Sequence, residues 1–335
     1  MNPTIHDVAK KAMVSISTVS RVVNHPQSVA PEKREKVLRV IRELGYEPNP
    51  FASGLRDRRT RTIAAIIPDI TNPFYAELFR GIEDVARAQK NNVMICNTDQ
   101  DESRFLEYMS YFQKKRIDGL IFVSSPVTET YREAFEDLRV PVVLAATDSE
   151  AGGWPSVTVD NYRAGYDAAM FLIKNGHEAI GMISGPLEDP IAGSPRYEGF
   201  QAALLEAGLT LTQDRVALGA YDFDSGYEAM RSLFGRSPDL TAVFAASDAM
   251  AVGASAFLLR RGIDVPRQVS VLGFDNLQLA RMVTPALTTV AQPVYRMGHE
   301  AAAMLFRTLD HPLMPQESLV LPHELIVRDT VGKRN

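Results

Sequence analysis

A single cysteine, Cys96, stands in a chain of 335 residues. It has no partner for an internal disulfide, which points to a reducing compartment, and the cytoplasm is the expected location. Within "VMICNTD" it reads as a small buried hydrophobe in a strand. The six histidines are scattered and no Cys/His cluster has zinc spacing, so no metal site is expected. No apolar run approaches the roughly eighteen residues of a membrane span. The opening "MNPTIHDVAKKAM" has no uninterrupted apolar segment, so no secretory signal is expected either. There is no GxGxxG after the first strand pattern, no Walker loop and no GxSxG elbow. No histidine stands beside the acidic residues considered below as a base. Neither an enzyme nor a bound cofactor is expected.

What is present is enough chain for two or three domains. The formal charge of −5 conceals a segregation. Through Arg61 there are twelve Lys/Arg against six Asp/Glu; the remainder carries twenty-four against thirty-five. A basic head on an acidic body suggests that the head meets a polyanion.

The head has three helical patterns. "TIHDVAKKA" places Ile5, Val8, Ala9 and Ala12 at helical spacing, with Thr4 and Asp7 in capping-box positions. After the break "MVS", Ser15 or Ser17 caps a second helix whose Val19, Val22 and Val23 face inward, and Pro26 prevents its continuation. "APEKREKVLRVIRELGY" is the third: Pro31 suits its first turn, Val37, Leu38, Ile41 and Leu44 form its apolar face, and Gly45 ends it. A tight turn between the first two helices makes a helix-turn-helix unit, whose second helix enters the major groove by its N-terminal part. Arg21 then donates to guanine or phosphate, Ile16 touches a thymine methyl, and Ser15, Ser17, Thr18, Ser20 and Asn24 supply polar contacts to double-stranded DNA. The plainer reading is a helical hairpin with an exposed arginine.

The segment "TIHDVAKKAMVSISTVSRVVNHPQSVAPEKREKVLRVIRELGYEPNPFASGL" resembles the headpiece of the LacI/GalR transcription regulators. The match lies in "I.DVA", "VS..TVSRVVN", "ELGY.PN" and the "A..L" of the hinge. The resemblance covers essentially the whole chain and suggests the ribose/cytidine repressor-like branch. One departure is Met13, where the family has glycine in the turn; a left-handed backbone is costly for methionine. By composition "EPNPFASGLRDRRTRT" is a linker. The resemblance implies that it forms a short helix on the operator, with Leu55 wedged into the minor groove at the centre of a palindromic site. Arg56, Arg58, Arg59 and Arg61 read as phosphate contacts or solvated charges.

Past the hinge the pattern becomes strand–helix alternation. "TIAAIIPDI", "VMICNTD", "GLIFVSS" and "VPVVLAAT" read as strands, and from about Tyr162 the alternation restarts through "AIGMISGP", "RVALGAY", "AVFAASD" and "VSVLGFD". "TTVAQP" is strand-like, "VYRMGHEAAAMLFRTL" helical, and "ESLVLPHELIVRDT" a final extended piece. The expected fold is an all-α helix-turn-helix head plus an α/β periplasmic-binding-protein type I body of two parallel-sheet subdomains with crossover hinges. The expected parts are a headpiece at 1–47, a hinge at 48–61 and an effector and dimerisation domain at 62–335. Within that domain, one subdomain spans about 62–161 and 293–322, the other about 162–292 and 323–335.

Ligands in such folds bind at the C-terminal ends of strands. That places Asn72, Phe74 and Tyr75 on one side of a cleft, and Arg196, Phe223, Ser247, Asp275 and Gln292 on the other. Carboxylate and guanidinium groups bind adjacent hydroxyls, and aromatic rings cover a C–H face, so the effector expected is sugar-like. "R..GF" and "GFD" carry over intact from sugar-binding relatives. Departures are Ala146 and Thr147 in place of an Asp-Arg pair, and Ser247 where asparagine is common; ribose is therefore doubtful, and a different sugar, a nucleoside or a phosphorylated metabolite stays open. Glu188 and Asp189 near the cleft mouth disfavour a strongly anionic ligand. Asp248 reads as a helix cap, and Trp154 as a surface-loop or interface residue. No leucine-heptad tail is visible, which predicts a homodimer. The expected function is a sequence-specific transcription regulator, a repressor, modulated by a small effector. The alternative is a sugar-binding protein with no DNA role, against which the head argues.

Overall fold

The computed structural model describes residues 3–24, 26–46, 59–148, 153–314 and 317–334. The chain divides into two units, Met1–Thr60 and Arg61–Asn335.

In the first unit the helices are α1 (Ile5–Ala12), α2 (Ile16–Asn24) and α3 (Pro31–Leu44). Thr4 and Asp7 close the expected capping box: the Thr4 N–H donates to Asp7 Oδ2 at 2.8 Å. Hydrogen bonds from Thr4 hold the Asp7 carboxyl below the usual carboxylate range. Met13 ends α1 in the left-handed region, φ 52°, with its side chain exposed. Val8, Ala9, Ala12, Val19, Val22, Val37 and Val40 form the core. Two inward assignments change. Val23 is only half-buried. Leu38 is exposed, and Val40 faces inward instead. At 100° per residue the stripe through Val37, Ile41 and Leu44 passes over Val40 and leaves Leu38 to one side.

The second unit alternates strands and helices. Its first lobe contains β1 (Thr62–Ile67), α4 (Pro73–Ala88), β2 (Asn92–Asn97), α5 (Glu102–Lys115), β3 (Gly119–Val123), α6 (Glu129–Leu138), β4 (Val142–Ala145) and β5 (Ser156–Val159). The second contains α7 (Asn161–Lys174), β6 (Ile180–Ser184), α8 (Gly193–Glu206), β7 (Val216–Leu218), α9 (Phe223–Arg236), β8 (Ala242–Ala245), α10 (Asp248–Arg260), β9 (Ser270–Asp275), α11 (Leu279–Met282) and β10 (Thr288–Ala291). The chain then returns through α12 (Val294–Asp310), β11 (Leu319–Leu321) and β12 (Glu324–Ile326).

Two six-stranded sheets result, ordered β11-β5-β4-β3-β1-β2 and β12-β10-β9-β8-β6-β7. All neighbours are parallel except β12, which runs antiparallel to β10. The near-continuous apolar runs of β1, β3 and β4 are buried on both faces, as parallel strands require. The chain passes between lobes three times, after β5, after β10 and after β11. The first lobe packs α4 and α12 on one face, and α5 and α6 on the other. Gly176, Gly208 and Gly262 follow helices with φ of 85°, 74° and 74°, the left-handed stops read from "KNGH", "EAGL" and "RRGI". Cys96 is buried in β2, and burial pushes its thiol up to about 12. Trp154 is not a free surface residue: its ring meets Phe135 edge-on at 5.3 Å and closes the α5/α6 core. Among the described residues no helix is long and apolar enough to cross a membrane.

Candidate functional site

On the head, Val19 and Val22 turn α2 inward, and this fixes which residues face out. Ile16, Ser17 and Arg21 are exposed; Thr18 and Ser20 are half-buried. Ser15 precedes the helix and its Oγ accepts the Thr18 N–H at 3.2 Å. The same Oγ lies 2.8 Å from Ser17 Oγ and 2.9 Å from Thr18 Oγ1. The three hydroxyls therefore form one cluster at the start of α2. Asn24 ends the helix. Leu55 lies outside the described residues, with the hinge from 47 to 58.

In the body, Arg196 lies in the second turn of α8 and is 5% exposed. Its guanidinium covers the Phe274 ring at 3.7 Å. Nη1 donates to the Ala246 carbonyl at 2.7 Å, and Nε to Asn161 Oδ1 at 2.9 Å. Asn161 is itself anchored, donating to the Ile191 carbonyl at 2.9 Å. These contacts hold a cation rigidly at the strand ends.

Asp275 ends β9 with φ 112° and is 6% exposed. Gln292 Nε2 donates to its Oδ1 at 2.6 Å. Burial pushes the Asp275 carboxyl up to about 6; Arg196 and Gln292 oppose that rise, and Glu77 adds to it. Ser247 caps α10, its Oγ accepting the Met250 N–H at 3.2 Å. Asp248 therefore does not cap the helix, contrary to expectation. It is the first helical residue, fully buried, and its oxygens accept from Leu277 N–H at 2.7 Å and the Thr289 hydroxyl at 2.6 Å.

Across the cleft, Tyr75 on α4 meets Phe74 edge-on at 5.3 Å. Burial raises the Tyr75 hydroxyl above its ordinary value, and the charges of Asp189 and Asp275 in the opposite lobe reinforce the rise. Tyr221 donates to Asp189 Oδ2 at 2.8 Å, and burial raises its hydroxyl above the ordinary value. Its hydroxyl occupies the space over Gly185, where an added Cβ would stand 2.0 Å from it. Asp189 also accepts the N–H groups of Ile191, Ala192 and Gly193, satisfying the start of α8.

Of the residues expected here, Tyr75, Arg196, Asp275 and Gln292 converge. Asn72 caps α4 through the Phe74 N–H at 3.0 Å, so its Oδ1 is committed. Phe74 sits mostly in the first-lobe core. Phe223 begins α9 and is 41% exposed. Asn161, Tyr221, Phe274 and Glu77 were not singled out in the sequence. Tyr221 stands two residues before the aromatic chosen from "YDFD", which gives no spacing signal to prefer one ring. Asn161 follows β5, a four-residue strand too short to read as one. Among the described residues no His/Cys/Asp/Glu group is placed to hold a metal ion.

A helix-turn-helix head on a two-lobed parallel-sheet body is the architecture of a DNA-binding transcription regulator. Residues 4–49 match the bacterial regulatory proteins of the lacI family. Residues 60–328 match the periplasmic binding proteins and sugar binding domain of LacI family. The chain belongs to the LacI family of bacterial transcription regulators. It is 42% identical over 330 residues to catabolite control protein A of Priestia megaterium, covering 98% of this chain and 99% of that protein. A structure of the transcriptional regulator CelR–cellobiose complex is similar at TM-score 0.75 and 33% identity, over 98% of this chain and 99% of that one. A LacI family regulator from Enterococcus faecium with bound ribose is similar at TM-score 0.74 and 30% identity, over 82% and 100%. The ribose/cytidine repressor-like branch expected from the sequence gains no support from the catabolite control protein.

Proposed function

We propose that this regulator is a repressor whose operator affinity is set by a neutral sugar or sugar derivative held between the two lobes. The observation that carries the reading is the Arg196–Phe274–Asp275–Gln292 group facing Tyr75. It combines a fixed cation, a carboxylate and an aromatic face, the complement of a polyhydroxy ring. Similarity to a cellobiose complex and a ribose complex supports the same ligand class. Ser247 and Phe223 border the cleft in this reading; Asn72 and Phe74 support Tyr75.

On the DNA side, Ile16, Ser17, Ser20 and Arg21 read the major groove, while Ser15, Thr18 and Asn24 position the helix. Leu55 from each chain of a homodimer wedges into the centre of a palindromic operator. Sugar binding changes lobe closure and hence the spacing of the two hinges, a coupling of about 1–3 kcal/mol. Residues 1–47, 48–61 and 62–335 are the head, hinge and effector parts.

The test is duplex-DNA titration across salt with the full chain, a chain starting at residue 62, and Arg21→Ala. The full chain should bind, with affinity falling as salt rises. The truncation should not bind DNA but should keep its thermal shift with sugars. Arg21→Ala should lose about 1–3 kcal/mol at one operator position if it reads a base, and lose uniformly if it holds phosphate. Equal DNA binding by full chain and truncation would sink the proposal.

A further inference from the structure

Next to the cleft, the chain makes a turn that is unfavourable in itself. Asp275 and Asn276 are consecutive non-glycine residues with φ of 112° and 61°. Such backbone persists only where the surroundings over-determine it. Here three side chains from three elements do so. Gln292, just after β10, donates to Asp275 Oδ1 at 2.6 Å. Arg328, just after β12, donates to Asn276 Oδ1 at 2.6 Å and to the Leu287 carbonyl at 2.7 Å. Asp248, at the start of α10, takes the Leu277 N–H at 2.7 Å and is braced by the Thr289 hydroxyl at 2.6 Å.

The turn also belongs to both lobes. Its backbone is tied to the second lobe by Asp248, yet the Leu277 side chain, 2% exposed, packs in the first-lobe core with Ile67, Phe74 and Val294. Asp248 can take this place because Gly273 has no side chain: a Cβ there would stand 2.5 Å from Asp248 Oδ1.

We infer that Asp248 is a positioning residue for the effector cleft. It holds the Asp275–Leu277 turn so that Asp275 faces the ligand while Leu277 pins the same turn to the opposite lobe. A ligand on Asp275 thus acts directly on a strap joining the two lobes. Burial and the adjacent Asp275 carboxyl push the Asp248 carboxyl well above the usual range. Asparagine keeps the shape of the carboxyl and an oxygen for the Leu277 N–H, and its amide can meet the Thr289 hydroxyl. The inference rests on the effector reading above for its ligand, though not for its geometry.

The experiment compares Asp248→Ala, Asp248→Asn and Thr289→Val in the full chain. One measurement is amide hydrogen exchange in peptides covering 275–279; the other is calorimetric titration with cellobiose and with ribose. Asp248→Ala should speed exchange at 275–279 at least about tenfold, through loss of a buried hydrogen bond. Exchange in β6 and β8 should not change. The sugar that binds the parent should weaken by a similar factor. Asp248→Asn should restore both, because its oxygen accepts from Leu277 and its amide donates to Thr289. Should Asp248→Ala fail to fold, Thr289→Val reports the same effect at smaller size. Unchanged exchange in both Asp248→Ala and Thr289→Val would overturn the inference, as would Asp248→Asn behaving like Asp248→Ala. A parent that binds neither sugar counts against those ligands alone; the exchange result still decides the role of Asp248.

Discussion

His177 lies 2% exposed near the far end of the second sheet, and both its ring nitrogens are engaged. Nε2 faces the Gly332 carbonyl at 3.1 Å, which can only accept, so Nε2 carries a proton; Nδ1 lies 3.0 Å from Thr241 Oγ1, whose hydroxyl is also 3.2 Å from the Ala179 carbonyl. Burial lowers its pKa from 6.5. The folded state therefore disfavours the imidazolium, and the stability this neutral ring contributes is complete above about pH 6.5. It is lost as pH falls below that value towards the lowered folded one. Asp275, raised to about 6, titrates nearby with the opposite sign, since its protonation on acidification relieves a buried charge. The parent's slope alone is therefore a mixture. Chemical denaturation between pH 5 and about 7.5 should show a shallower acid loss for His177→Gln than for the parent. Identical slopes would remove His177 from the account. No feature of "KNGHEAIG" marks this histidine as buried, because its partners come from residues 241 and 332. The same holds for Asp248. Its neighbour Ser247 suits a cap as well as it does, and only the Leu277 and Thr289 contacts distinguish their roles.

Three helix pairs cross through facing glycines. An added Cβ at Gly81 would lie 2.1 Å from the Tyr295 carbonyl oxygen, and one at Gly298 would lie 1.9 Å from that of Leu78. Gly165 and Gly199 do the same for α7 and α8, and Gly226 and Gly253 for α9 and α10. The obstacle is backbone in each case, so it cannot move aside as a side chain would. Gly298→Val and Gly226→Val should each destabilise the body by at least about 2 kcal/mol, read from urea midpoints. Gly235→Ala is the control: nothing lies within 4 Å of its added Cβ, and it should be near neutral or stabilising. Long strands and amphipathic helices were legible because each carries its own period. Short ones were not. "SVTV" is a four-residue strand, and "ESLVLPHELIVRDT", which reads as one extended piece, becomes β11 in one sheet and β12 in the other. Pro322 lies between them, where the chain crosses lobes.

At the scale of the molecule, the head and body are separate compact units with very different cores. Among the described residues the head's buried core is seven residues, which makes it a marginal domain on its own. Calorimetry should resolve a small transition for the head and a larger one for the body, each selectively raised by its own ligand. Duplex DNA should move the first, and a bound sugar the second. A single transition at all ligand concentrations would contradict independent units. The charge segregation fits this division: the basic part is the head, and the acidic body discourages indiscriminate adhesion to a polyanion. Local sequence was enough to determine the helix-turn-helix, the strand–helix alternation and the candidate status of Arg196 and Asp275, because spacing and chain neighbours produce those signals. Tertiary structure alone decided that Arg196 is fixed by Phe274 and Ala246, that Tyr221 bonds Asp189, and that Leu277 belongs to the opposite lobe. These depend on contacts between residues tens to hundreds of positions apart, which no local period records.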